Sequence, residues 1–155
     1  MTRNSRDGPL SRPNGVDTTK TMNVRTPSCV LLADRHHRLS EGVRGLLEIT
    51  FSKVFIVADQ TSLMEGAQRL SPALVIVDVS LAEGDISELV HSIRDSAPAA
   101  KVLFLSVHDE PTVAAAARAA GADGLVLKRA IATDLLPAVD AVLAGRPFVA
   151  PAGGH

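Results

Sequence analysis

The sequence predicts an α/β fold, a parallel sheet with helices on both of its faces. Three observations predict it. Four short apolar runs, 29–33, 74–77, 102–105 and 125–127, have the length and the aliphatic, β-branched content of strands buried on both sides. Stretches with helical spacing separate them, and strands that alternate with helices join into parallel sheets through right-handed crossovers. Each run ends on a polar residue foreign to a core: Asp34, Asp78, Ser106 and Lys128. The carboxyl ends of the strands in an open parallel sheet form its ligand crevice. The pattern therefore gathers two carboxylates, a hydroxyl and an ammonium at one place.

The elements follow in order. Cys29 to Ala33 is the first strand. Leu39, Val43, Leu46, Leu47 and Ile49 give helical spacing over about 37–50. Lys53 to Ala58 is a short second strand, and Thr61 to Leu70 a helix with Thr61 or Ser62 as N-cap and Ser71-Pro72 as its stop. After the third strand, Ile86, Leu89, Val90 and Ile93 mark a helix that ends before Pro98. The fourth strand runs from Lys101 to Leu105. Pro111 opens the next helix at its first turn, where a missing N–H is harmless, and Gly121 closes it. Leu125 to Leu127 is the fifth strand. The last helix covers about 133–144, with Gly145 as C-cap and Pro147 beyond. Five such units make a compact three-layer (βα)5 sandwich of the flavodoxin-like order 2-1-3-4-5, whose crevice opens between strands one and three, where Asp34 and Asp78 meet.

Composition narrows the function. With 46% hydrophobic residues the chain is not a disordered protein, and a net charge of −1 gives no global drive toward nucleic acid or anionic membranes. No Trp or Tyr is present to stack on bases. The lone cysteine, Cys29, has no internal partner, which fits a reducing, cytoplasmic setting. No run approaches the ~20 apolar residues of a membrane span. Residues 1–27 are rich in Pro, Gly, Ser, Thr and Asn and are expected to be a disordered extension, with Met22 a second candidate start; 28–150 form the domain and 151–155 a tail. The stretch from Pro147 to Gly154 reads as the beginning of a linker.

At this point the chain resembles the receiver domain of bacterial two-component response regulators, in the subtype that usually precedes a LuxR-like helix-turn-helix. The resemblance rests on Val30-Leu31-Leu32-Ala33-Asp34, Glu41 to Glu48, Leu74-Val75-Ile76-Val77-Asp78, Lys101 to Asp109 and Gly121 to Lys128, and spans about 29–150. It implies that Asp78 accepts a phosphoryl group from a kinase histidine, a suitable role for a carboxylate because the acyl phosphate is later hydrolysed. Ser106 and Lys128 would each serve a phosphoryl oxygen. Asp34, Asp78 and the backbone carbonyl of Ser80 would hold Mg²⁺. The implied partners are a sensor histidine kinase or phosphotransfer protein and a protein output partner, with a homodimer as a further possibility. The surface around the fourth helix, fifth strand and fifth helix would change. The chain, stand-alone or truncated, would be a signalling module and not an enzyme, with no direct nucleic-acid or membrane partner.

Several positions depart from the pattern. Where a second metal-binding acid is usual, this chain has Arg35. If its guanidinium points inward it pairs with Asp78, neutralises the pocket and weakens metal binding, leaving a phosphorylation-independent interaction or dimerisation module as the alternative. If it points to solvent, Asp34 and Asp78 can still hold a hydrated ion. Glu83 and Asp85 are expected to be solvated loop acids and Gly84 to turn the loop. Leu125 stands where an aromatic switch residue is usual, three before Lys128, so the coupling of hydroxyl and ring is cut or altered. His36 and His37 are expected on the loop surface. Neither they nor His91 or His108 show metal-ligand spacing.

Overall fold

The computed structural model describes residues 26–107 and 111–149. The expected disordered extension lies outside these residues except for Thr26 and Pro27, and the tail lies outside them entirely. Six parallel strands, β1 (Thr26–Ala33), β2 (Phe51–Val57), β3 (Leu74–Asp78), β4 (Lys101–Ser106), β5 (Gly124–Leu127) and β6 (Phe148–Val149), pair in the order β2-β1-β3-β4-β5-β6. Five α-helices connect them: α1 (His37–Leu47), α2 (Gln60–Leu70), α3 (Ile86–Ser96), α4 (Pro111–Ala119) and α5 (Ile131–Leu143). Single 3₁₀ turns follow β3 at Val79–Ala82 and β5 at Lys128–Ala130. The flavodoxin-like order 2-1-3-4-5 is present, with one strand added at its edge.

The period-2 alternation of strand side chains divides the core in two. Leu31, Ala33, Val75, Val77, Val102, Phe104 and Leu125 face α2, α3 and α4. Val30, Leu32, Leu74, Ile76, Leu103, Leu105 and Val126 face α1 and α5. β3 is buried at all five positions, as a strand covered on both faces must be.

Three local readings are corrected. Phe148 and Val149 do not begin a linker; they pair with Gly124 and Leu125 as β6. Gly124 permits this: a Cβ there would lie 2.8 Å from the Phe148 carbonyl oxygen and 2.8 Å from Leu103 Cδ1. The N-cap of α2 is Asp59, which accepts the Ser62 N–H at 2.8 Å, so the helix starts one residue before Thr61. The last helix starts at Ile131, directly after the 3₁₀ turn that carries Lys128.

Candidate functional site

Register assembles the site. Ala33 pairs with Val77, so the next residues, Asp34 and Asp78, stand side by side where β1 and β3 end. Asp78 pairs with Leu105, and Ser106 with Leu127, which places Ser106 and Lys128 at the same edge of the sheet. Asp34, Asp78 and Ser106 are 2%, 3% and 1% exposed, while the apolar residues before them fill the core. The strands thus deliver four polar groups into a nearly closed crevice.

Asp78 is held from two sides. The Ser80 N–H donates to Oδ1 at 3.1 Å and the Ser80 hydroxyl to Oδ2 at 2.8 Å, both from the 3₁₀ turn. The Lys128 ammonium donates to Oδ2 at 3.0 Å. Burial works to raise the Asp78 pKa, but the Ser80 N–H, the Lys128 ammonium and the Ser80 hydroxyl outweigh it and hold the carboxyl below the usual carboxylate range. Asp78 is therefore ionised at neutral pH.

Asp34 faces the same ammonium, with Lys128 Nζ 2.9 Å from its Oδ2. That contact is Coulombic only, because the buried Oδ2 accepts no hydrogen bond. Oδ1 accepts the His36 N–H at 2.8 Å and lies 2.9 Å from His36 Nδ1. The imidazole closes the pocket, 3.7 Å from Asp78 Oδ2 and 3.2 Å from Lys128 Nζ. His36 is the N-cap residue of α1, yet its side chain makes no cap bond and turns to the acids instead. Sequence reasoning placed it on the surface. Its ring is 60% exposed, but its Nδ1 edge belongs to the site. A His two residues after a strand-end Asp was the available signal.

The donor set fits a divalent cation. The ligand atoms of Asp34, His36 and Asp78 lie within 4.8 Å of one another, and the buried Asp34 Oδ2 has no hydrogen-bond donor. Lys128 puts a positive charge among the same groups. The Ser80 carbonyl, expected as a metal ligand, accepts the Glu83 N–H at 3.3 Å within the turn; the Ser80 amide and hydroxyl are what reach Asp78.

Arg35 does not enter the pocket. It is exposed, and its charge is felt by Asp59 at the start of α2. The residue next to Asp34 in an exposed loop meets no enclosure that would hold its guanidinium inward, so the pocket carries two acids and one lysine. Of the two orientations the sequence leaves open for Arg35, the side chain takes the one toward solvent. Glu83 and Asp85 are exposed, and Asp85 caps α3 by accepting the Glu88 N–H at 2.9 Å. The loop turns through two left-handed residues, Glu83 at φ 51° and Gly84 at φ 92°. Leu125 is 3% exposed and packed in the core, with no polar tip to offer. His37 and His91 are exposed, and His108 lies outside the described residues.

A family model for the response regulator receiver domain matches residues 30–140. The chain belongs to this family. It is 29% identical over 136 residues to the nitrate/nitrite response regulator protein NarL of Escherichia coli (strain K12), covering 84% of this chain and 62% of NarL. A solved two-component response regulator of the LuxR family from Aurantimonas sp. SI85-9A1 is 29% identical with a TM-score of 0.72, over 81% of this chain and 91% of that one. The response regulator RcsB, solved in complex with DNA, is 27% identical with a TM-score of 0.71, over 81% of this chain and 64% of that one. The chain spans 54–62% of the length of the first curated relatives it matches. The expectation of no nucleic-acid partner is thus at odds with a relative that binds DNA. No described helix is long and apolar enough to cross a membrane.

Proposed function

We propose that this chain is a phosphoacceptor receiver of two-component signalling, with Asp78 as the acceptor. The observation that carries the reading is the state of Asp78: 3% exposed, yet held ionised by Ser80 and Lys128 at 2.8–3.1 Å. In the transfer an Asp78 carboxylate oxygen attacks the phosphorus of a phosphohistidine on a sensor kinase or phosphotransfer protein. The P–O bond forms as the P–N bond breaks, and the electron pair leaves with the imidazole. Lys128 is already 3.0 Å from the attacking side and can follow the charge onto a phosphoryl oxygen. Ser106, at the tip of β4, offers its hydroxyl to a second oxygen. Asp34 and Asp78 would hold a divalent cation, which when bound supplies positive charge to the phosphoryl group.

The output follows from what the new anion attracts. Ser106 ends β4 and Lys128 opens the turn after β5, beside α4, β5 and α5. Their movement toward the phosphoryl group would alter that surface and its affinity for a protein partner or a second copy of the chain. With Leu125 in place of a hydrogen-bonding aromatic residue, the change reaches the surface through packing. The half-buried thiol of Cys29, raised in pKa by burial, suits a reducing cytoplasm. The alternative is a phosphorylation-independent interaction or dimerisation module in which Arg35 replaces a metal-binding acid; the exposure of that side chain counts against a state preset by an inward guanidinium.

The test is a small-molecule phosphodonor with a divalent cation. One phosphoryl group is expected on Asp78 by mass spectrometry of the intact chain and its peptides, and none on Asp78→Asn. Failure to modify the wild-type chain, with a donor or with a competent kinase, would overturn the reading.

A further inference from the structure

A cavity of about 360 Å³ opens between the start of α1 and the last residues of β2. β2 is the edge strand, so no further strand closes that side of the sheet. Ser40 lines the cavity from α1, four residues after the N-cap. It is 1% exposed, yet its hydroxyl has no hydrogen-bond partner. A buried polar group left unpaired costs free energy, so the fold itself gives no reason for a hydroxyl here. The rest of the wall is rich in donors. Arg35 and His37 stand on it, both exposed. Arg44 follows Ser40 by one helical turn, and its Nη1 donates to Val54 O at 3.1 Å, which holds the guanidinium against the edge strand. α1 has no acidic side chain in its first turn and no side-chain cap at His36, so the positive end of its dipole is uncompensated. The acids nearby do not use up these donors. Glu41 and Glu48 lie 3.6 Å and 3.9 Å from Arg44, beyond hydrogen-bond distance, and Asp34 is paired with Lys128 at 2.9 Å.

We infer that this cavity binds a phosphate-type oxyanion, free or at the end of a small phosphomonoester, through Ser40, Arg35 and Arg44 at the N-terminal end of α1. The inference goes beyond the phosphoacceptor reading and does not rest on it. A tetrahedral oxyanion presents acceptor oxygens in several directions. Two guanidinium forks, a hydroxyl and a helix N-terminus supply donors that match them. The same wall disfavours a cation, because both guanidiniums would repel it. Ile56 and Val57 add apolar surface to the cavity, which suits the short organic group of a phosphomonoester. The bound anion would accept the hydrogen bond that the Ser40 hydroxyl does not make within the fold.

Two-dimensional amide NMR of the full chain, titrated with inorganic phosphate at fixed ionic strength and without divalent cations, tests this. Saturable shifts are expected at the amides of Ser40, Arg44 and Ile56, with those of Asp78, Ser80 and Ser106 unmoved. Arg35→Ala and Ser40→Ala should each weaken phosphate by about tenfold, as the loss of a hydrogen bond to a charged group does. Arg35 is exposed, so its truncation leaves the fold intact. Thermal unfolding adds a readout that a merely structural hydroxyl would not give. Phosphate should raise the wild-type midpoint. Ser40→Ala should raise the midpoint in phosphate-free buffer and lose the further rise with phosphate. Glycerol phosphate separates the two sources of the anion: tighter binding than inorganic phosphate at the same amides assigns a phosphomonoester, and equal or weaker binding assigns the free ion. The inference is overturned by the absence of a saturable shift, or by shifts at the acceptor crevice instead. Phosphate affinity unchanged in both variants, or a lower midpoint for phosphate-free Ser40→Ala, overturns it equally.

Discussion

Asp78 shows how a single side chain balances opposing terms. Desolvation disfavours its charge, and three donors from Ser80 and Lys128 restore it. Its folded-state pKa lies below the value in the unfolded chain, about 3.9. Its contribution to stability is therefore present in full above about pH 4 and is lost as the pH falls through the lower folded value. Asp78→Asn removes that proton uptake. The urea midpoint of the wild-type chain is expected to fall more steeply than that of the variant as the pH drops below about 4. Parallel profiles would show that the donors do not hold the acid as described. At this scale Asp34, Asp78, Ser106 and Lys128 were legible, because each is polar at the end of an apolar run. His36 and the Ser80 hydroxyl were not, since a loop side chain has no periodicity to say where it turns.

Elements obey local rules until a neighbour intervenes. Pro111 opens α4 and Ser71 ends α2 in the left-handed region, as the sequence suggests. The start of α2 went instead to Asp59, whose carboxylate reaches the Ser62 N–H across three residues. The edge strand β6 was illegible because two residues carry no pattern; its place depends on Gly124. A Cβ at that position meets Phe148 O and Leu103 Cδ1 at 2.8 Å and Val142 Cγ2 at 3.1 Å. Gly124→Ala is expected to cost about 1–3 kcal/mol in chemical denaturation and to expose the Phe148 N–H to exchange. Gly45→Ala, in the exposed face of α1 with nothing within 4 Å, is expected to stabilise by up to about 1 kcal/mol. Equal effects at the two glycines would show that β6 does not depend on close approach.

The whole molecule is one sheet serving two cores. Leu103 and Phe104 are adjacent, fully buried, and face opposite layers. Because both layers rest on the same strands, loss of either should loosen the other. Leu103→Ala is expected to cost about 2–5 kcal/mol and Phe104→Ala about 3–5 kcal/mol, each with a single unfolding transition seen alike by far-UV circular dichroism and calorimetry. Two separate transitions in either variant would mean that the layers are independent units.

The sequence by itself determined the fold class, the strand order and the gathering of four polar residues at one edge. Hydrophobic runs of strand length and the handedness of crossovers leave few other arrangements, and register then carries each run's last residue to the crevice. Only the tertiary structure decided that Arg35 stands in solvent, that the His36 ring closes the pocket and that Phe148 and Val149 join the sheet. Those outcomes depend on contacts between residues far apart in the chain, such as His36 with Lys128 and Gly124 with Phe148, and no local pattern encodes them.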